Sequence, residues 1–491
     1  MRVVVIGAGL GGLGLALRLQ GSGHDVVVLE QRERPGGRAY QLRDAGFTWD
    51  MGPSLITMPW VLEQTFAAGG LDLHSEVALE PLDPFYRICW AGDERRLHFT
   101  ADRERMRAEL ADFSPRDAAR LDGFLDALRP IYEQGLLEAG RRAFGSPREL
   151  AAFLPRMVRL GAALPLSSLV ARWFRHPRVR EAFSFHSLFI GGDPFRVPAI
   201  YGALVYLQFL DGVWYTRGGV YALVEAMARA LNVRCGVRAE RVEARGGRVQ
   251  AVVAEGGERF PADVVVSNAD VLRTHELLGR RPPRRRLRPT MSCLLLYLGA
   301  ERRFEQLLHH TLLVGRGYRR FIADVTRRDR LPATFSAYLH APARTEPGMA
   351  PPGGDSIAVL LPVPNLRAGV DWRREGDHVR DALLGDLERS FGLGGLRAAT
   401  VVEHRMDPED FARELGAVDG NAFSVEPTLQ QSACFRAPNR VRDVRGMYHV
   451  GGGTHPGAGL PGVLLGAEVT AGLIHADFPS ANRRPRAAVA A

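Results

Sequence analysis

An apolar run from Val3 to Ile6 feeds directly into Gly7-Ala8-Gly9-Leu10-Gly11-Gly12, and a helix-patterned stretch through Leu19 follows. A second apolar run, Val26 to Leu29, ends in Glu30. Strand, G-x-G-x-x-G turn, helix, strand and terminal acid make a dinucleotide-binding unit, and they commit the N-terminus to a parallel α/β layer. Gly7 permits the tight turn, Gly9 lets backbone approach a pyrophosphate, and Gly12 lets the helix pack close to the strand. The helix presents unpaired N–H groups and its positive dipole end to the phosphates. Glu30 is then positioned to accept hydrogen bonds from an adenosine ribose. Alone, this unit does not separate NAD from FAD.

A chain of 491 residues exceeds what one hydrophobic core usually supports, so two domains are expected. With 46% hydrophobic and 24% charged residues the composition is that of an ordinary globular protein. The net charge of +9 comes entirely from arginine, because the chain contains no lysine. No basic run interleaved with stacking aromatics appears, which argues against nucleic acid as a partner. Cys89, Cys235, Cys293 and Cys434 are far apart with no C-x-x-C pair, so neither a metal site nor a disulfide framework is expected. The first strand begins at once, without a signal-peptide pattern, and no stretch of eighteen apolar residues occurs. A cytoplasmic protein is predicted.

After Pro35-Gly36-Gly37-Arg38, residues 39–54 read as a short hairpin whose closing turn, Gly52-Pro53, would lay backbone against a bound ring. A helix is expected from Pro59 to Leu71, and a hairpin from Phe85 to Phe99. Residues 102–195 look mainly helical. Within them Leu150 to Phe174 is apolar, interrupted by Pro155 and Pro165, and rimmed by Arg156, Arg159, Arg172, Arg175, Arg178 and Arg180. Such a stretch suits either a membrane interface, with guanidinium groups among headgroups, or a buried helix pair with arginine at its solvent edge. Strands follow around Val233 to Val242 and Val249 to Val253, and Val264 to Ser267 reads as a buried parallel strand, so residues 212–270 are expected to rejoin the nucleotide layer. An Arg/Pro-rich connector, Arg280 to Pro289, precedes candidate strands at 292–297, 311–314, 335–339 and 357–363 and a helix from Val379 to Phe391. At the end, Met447 to Val450 runs into Gly451-Gly452-Gly453-Thr454-His455-Pro456-Gly457 and a helix from about Leu464 to Ile474. The tail after Phe478 is Arg, Ala and Pro and is predicted to be disordered.

Gly36-Gly37-Arg38 shortly after the acid, the rejoining strand and the C-terminal Gly-rich loop together resemble the flavin amine oxidase and carotenoid desaturase superfamily. Within it, the chain is similar to the bacterial phytoene desaturases. The likeness is carried by Gly46 to Ser54, Gly212 to Gly219, Ala341 to Pro351, Val363 to Leu366 and Gly453 to Gly459, and it spans nearly the whole chain to about Leu473. Met51, Ser54 and Gly452 depart from the family pattern. The resemblance implies a glutathione-reductase-type, Rossmann-like FAD-binding domain of the α/β class (residues 1–70, 211–278 and 430–478). It also implies an inserted α+β substrate domain (71–100 and 279–429) and a helical, membrane-associating entry region (101–210).

The same resemblance implies non-covalent FAD and stepwise desaturation of phytoene or a related carotenoid precursor. Gly7, Gly9 and Gly12 would hold the pyrophosphate, Glu30 the ribose, Gly36, Gly37 and Arg38 the phosphate side, and Val237 the adenine. Gly453 and Thr454 would contact the ribityl or phosphate region, and Pro461, Gly462 and Val463 would bring a helix N-terminus to the flavin. His455 is the one candidate base for the departing proton, against the alternative of a histidine that shapes its loop. The implied partners are a polyisoprenoid substrate, the inner face of the cell membrane, and a quinone or oxygen as electron acceptor. Three other readings stay open: a later-step desaturase, isomerase or saturase; a flavin amine oxidase, whose aromatic pair is here replaced by the polyene-type end motif; and a non-catalytic prenyl-chain escort.

Overall fold

A computed structural model describes residues 1–280 and 287–479. The tail expected after residue 479 and most of the Arg280–Pro289 connector lie outside the described residues. Five parallel strands form the nucleotide layer, in the order Met447–His449, Val264–Ser267, Arg2–Ile6, Asp25–Leu29, Asn232–Arg234. Arg2–Ile6 is apolar on consecutive residues because both its faces are covered. Val3 and Val5 pack into the core that holds Leu13 and Leu17, whereas Val4 and Ile6 pack with Val252, Val265 and Met447. Helix Leu10–Gly21 crosses one face, and helix Leu460–Asp477 lies so close beside it that a Cβ on Gly14 would come within 2.6 Å of Leu464 Cδ2. The first and last described helices are thereby packed together.

A second sheet of seven strands runs Thr400–Met406, Ser292–Ala300, Asp355–Val363, Ala337–His340, His310–Val314, Tyr86–Trp90, Arg96–Phe99. All its pairings are antiparallel except that of His310–Val314 with Tyr86–Trp90. Residues 103–211 supply helices, among them Leu121–Ile131, Pro147–Arg159, Leu166–Trp173 and Ala203–Asp211. Pro130 denies helix Leu121–Ile131 a backbone donor, and the next seven residues, Tyr132–Glu138, open into a π-helix.

Several expectations are corrected. The run from Val233 to Val242 is two strands: Gly236, at φ +70°, breaks it, and Ala239–Arg245 joins a separate three-stranded sheet with Arg248–Ala254 and Arg259–Pro261. Val213–Thr216 pairs with Leu79–Leu82, so the chain re-enters the parallel sheet only at Asn232. Pro155 does not interrupt its helix, because the carbonyl it leaves unpaired belongs to Ala151 on the exposed face. The helix expected at Val379 already begins at Trp372, capped by the Asp371 carboxylate on the amide of Arg373. Thr400–Met406 was not anticipated; it is a charged edge strand without an apolar alternation.

Candidate active site

A cavity of about 1210 Å³ lies against the C-terminal ends of the parallel strands and extends to the antiparallel sheet. Its dinucleotide end is built from the first glycine turn. Gly7 adopts φ +97°, and Gly9 serves as N-cap of helix Leu10–Gly21 in extended geometry. Both Glu30 carboxylate oxygens are held by backbone amides, Oε2 by Ala8 at 2.8 Å and Oε1 by Arg32 at 3.0 Å. The amide of Val237 donates to the Glu30 carbonyl at 2.8 Å, which brings Val237 to the cavity wall beside the acid. Gly36 and Gly37 close over Gly9: a Cβ on Gly37 would sit 3.3 Å from the Gly9 Cα. Gly12 does not line the cavity. A Cβ there would stand 2.2 Å from the Gly7 carbonyl oxygen, so its glycine serves helix–strand packing.

Arg38 also lines the cavity. Its Nη2 donates to the Asn421 carbonyl at 3.2 Å and to Asn421 Oδ1 at 3.1 Å, and burial lowers its pKa. Among the described residues no carboxylate pairs with it.

The closing loop is arranged differently from expectation. Gly451 and Gly452 reach the cavity, whereas Gly453 and Thr454 do not. Thr454 is fully buried and donates its hydroxyl to the Gly451 carbonyl at 2.9 Å, turning the loop inward. Helix Leu460–Asp477 starts earlier than its apolar pattern implied, with Gly459 as N-cap at φ +99°, and so carries Pro461, Gly462 and Val463 in its first turn at the cavity wall. His455 lies outside the wall. Its Nε2 is 2.8 Å from the Ala139 carbonyl, its ring packs edge-on against Phe144, and burial pushes its pKa down to about 4. A neutral ring engaged in this way shapes the loop and is not positioned as a base.

The other end of the cavity is apolar, lined by Phe185, Leu188, Leu204, Leu312 and Phe321 among others. Two polar side chains there are already engaged: Gln208 accepts from the Tyr86 hydroxyl, and Glu181 accepts from Trp90 Nε1 and pairs with Arg178. Gly52, Pro53 and Ser54 form part of the wall between the hairpin and the sheet, as does Tyr338.

Residues 10–475 match the family described as flavin containing amine oxidoreductase. Over 488 residues the chain is 42% identical to a lycopene-forming phytoene desaturase of Pantoea ananas, covering 96% of this chain and 99% of that one. It is 37% identical to a zeta-carotene-forming phytoene desaturase of Myxococcus xanthus, covering 95% and 92%. The chain belongs to the phytoene desaturase branch of the flavin-containing amine oxidoreductases. A solved putrescine oxidase shares the fold, with a TM-score of 0.64 at 15% identity over 97% of this chain and 99% of that one.

The family's cofactor is FAD, and the residues present fit it. Arg38 faces the cavity without an ion pair, its charge supported only by the more distant Asp270, and an anionic diphosphate there would pair with it. The close approach of Gly9 and Gly37 leaves a cradle that any side chain at Gly9 would fill. Both helix N-termini, at Leu10 and Leu460, open onto the same space.

Two further residues organise the site. Asn268 donates from Nδ2 to the Gly7 carbonyl at 3.2 Å, and a Cβ at Gly9, Gly11 or Gly12 would meet its side chain first or second. Its signal in the sequence is positional: it follows the apolar run Val264 to Ser267, at the carboxyl end of a parallel strand. Arg436 is buried and donates from Nη1 to the Gly452 carbonyl at 2.8 Å, bracing the closing loop, and no motif marks it.

Proposed function

We propose that the protein desaturates phytoene or a closely related colourless polyisoprenoid in carotenoid biosynthesis, taking a hydride from one carbon and a proton from its neighbour at each step. The observation that carries this reading is a single cavity whose wall passes from the Glu30 and Arg38 end to side chains such as Leu312 and Phe321. FAD, when bound, supplies the two-electron acceptor. Glu30, Arg38 and the glycine turns would hold its adenosine and diphosphate, and the positive end of helix Leu460–Asp477 favours negative charge developing beside Pro461, Gly462 and Val463. The apolar wall orients the chain and excludes water. Residues 1–70, 211–278 and 430–478 would act as the FAD-binding part, and 71–100 and 279–429 as the substrate part. Residues 101–210 would form the entry.

Entry from a membrane follows from solubility. At about 0.8 kcal/mol per CH2, a long polyisoprenoid resists crossing free water. No described helix is long and apolar enough to cross a bilayer. Helix Pro147–Arg159, however, buries Phe153 and Met157 on one side while Leu154 (36%) and Val158 (58%) stay exposed on the other. Met157 Sδ reaches the π-helix near Gly135, whose neighbour Leu136 lines the cavity. These observations support peripheral attachment to a membrane surface; the same proposal places it on the inner face of the cell membrane and gives the flavin a quinone or oxygen as oxidant.

Co-expression with a phytoene-producing pathway tests the reading. Pigments lighter than phytoene by two hydrogens per step are expected by mass. Phytoene left intact overturns it: an isomerised product of unchanged mass or a saturated one points to the other family chemistries, and a colourless purified protein to a prenyl-chain escort.

A further inference from the structure

Each desaturation step leaves a proton inside an apolar cavity, and His455 faces away from it. The wall does carry two hydroxyls in contact. Ser54, next to the Gly52-Pro53 turn, has its Oγ 2.5 Å from the hydroxyl of Tyr338 on the antiparallel sheet. The Tyr338 hydroxyl is in turn 2.7 Å from His310 Nδ1. Behind it, one ring nitrogen each of His309, His310 and His340 lie within 4.8 Å of one another, all three side chains buried. His309 and His340 approach through their Nε2 atoms at 3.1 Å, and His309 Nδ1 is 2.6 Å from Oγ1 of the half-buried Thr345. His310 Nε2 is buried with no hydrogen-bond partner among the described residues.

We propose that Tyr338, His310, His340 and His309 form a proton relay that carries the substrate proton from the cavity to the Thr345 surface. The inference rests on the desaturase reading above. In the step it serves, one carbon gives up hydrogen with both bonding electrons to the flavin. The neighbouring carbon gives up a proton, and the electron pair of that C–H bond becomes the new double bond. The proton is taken by the Tyr338 oxygen, directly or through Ser54, as the phenolic proton passes to His310 Nδ1. His310 Nε2, unpartnered at rest among the described residues, then gives its proton to the His309–His340 pair as the ring turns across a separation of no more than 4.8 Å, and a proton leaves past Thr345 to water. Nothing in the relay is consumed.

Neutral histidines suit this task, because each has one N–H and one lone pair. Burial keeps all three neutral, pushing His340 down to about 3 and the other two well below the ordinary value. They are therefore weak proton stores. Weak basicity suffices, since the adjacent C–H becomes strongly acidic as the hydride departs, so that proton loss and flavin reduction share one step, and a ring that does not hold the proton passes it on.

The test uses FAD-loaded protein on liposomes with phytoene, following anaerobic flavin reduction in H2O and D2O. Tyr338→Phe and His310→Gln are expected to keep the bound-flavin spectrum, slow reduction about 100-fold and abolish the solvent isotope effect of the wild type. In 15N-histidine NMR spectra, Tyr338→Phe is expected to shift the His310 Nδ1 resonance. Variants reducing within about twofold of wild type overturn the relay. A wild type that makes no desaturated product overturns the parent reading, and the relay with it. Elemental analysis provides the last arm, because three neutral imidazoles also suit zinc. Metal-free protein is expected, and stoichiometric zinc lost in His310→Gln overturns the relay.

Discussion

Gly9 and Gly12 belong to one motif but answer to different constraints. A Cβ on Gly9 would lie 3.0 Å from the Asn268 side-chain amide and 4.0 Å from the nearest backbone of Gly36 and Gly37, so the fold can accept it while the cradle cannot. Gly9→Ala is expected to give folded but colourless protein, with FAD affinity about 100-fold weaker by fluorescence titration, ~2.7 kcal/mol. Gly12→Ala pushes against the backbone oxygen of Gly7 and is expected to lower stability by about 1–3 kcal/mol in urea melts. Histidines set the pH response. The pKa of His455 is lowered to about 4 by burial, as is that of His449, while His186 falls to about 3. In the unfolded chain each takes up a proton near 6.5, so their stabilising contribution is complete above that value. It is lost as pH falls toward 4, at about 1.4 kcal/mol per pH unit for each. Asp50 has the opposite sign: burial raises it to about 7, so its contribution weakens as pH rises from about 4 to 7. Denaturation midpoints between pH 7 and pH 4 should fall less steeply for His455→Asn and more steeply for Asp50→Asn.

At the level of elements, helix Pro147–Arg159 carries the proposed attachment to a bilayer. Its apolar residues were evident as a run, but their division between two faces depends on which side packs against the π-helix. Phe153 and Met157 turn inward, leaving Leu154 and Val158 outside. Of the arginines along this stretch, Arg156 is tied to Glu138, Arg178 to Glu181, and Arg180 to the Phe174 carbonyl. Arg159 and Arg172 are exposed and have no ion pair among the described residues. Leu154→Asp with Val158→Asp, or Arg159→Glu with Arg172→Glu, is expected to release the protein from anionic liposomes without altering its flavin spectrum; unchanged co-sedimentation would remove the attachment proposal.

For the whole molecule, FAD bound along the cavity wall would act as a clasp between distant parts of the chain. Residues near both termini, the Gly52-Pro53 turn and the 237–240 segment share one wall. FAD at 100 times its Kd is expected to add about 2.7 kcal/mol to the stability of the folded chain, and Gly9→Ala should remove most of that gain in thermal melts at the same FAD concentration. The nucleotide unit was legible residue by residue, because a strand, a glycine turn and an acid at set spacing leave the backbone one way to fold. Six of the seven strands of the second sheet were legible, four as apolar runs between Pro and Gly loops and two as the alternating hairpin from Phe85 to Phe99. Three-dimensional packing alone decided that Thr454 and His455 turn inward while Gly451 and Gly452 face the cavity, since loop direction depends on partners as remote as Ala139 and Arg436. Only packing, too, brought His309, His310 and His340 behind Tyr338. Local pattern reports which face of an element is apolar, and contacts across hundreds of residues determine what that face meets.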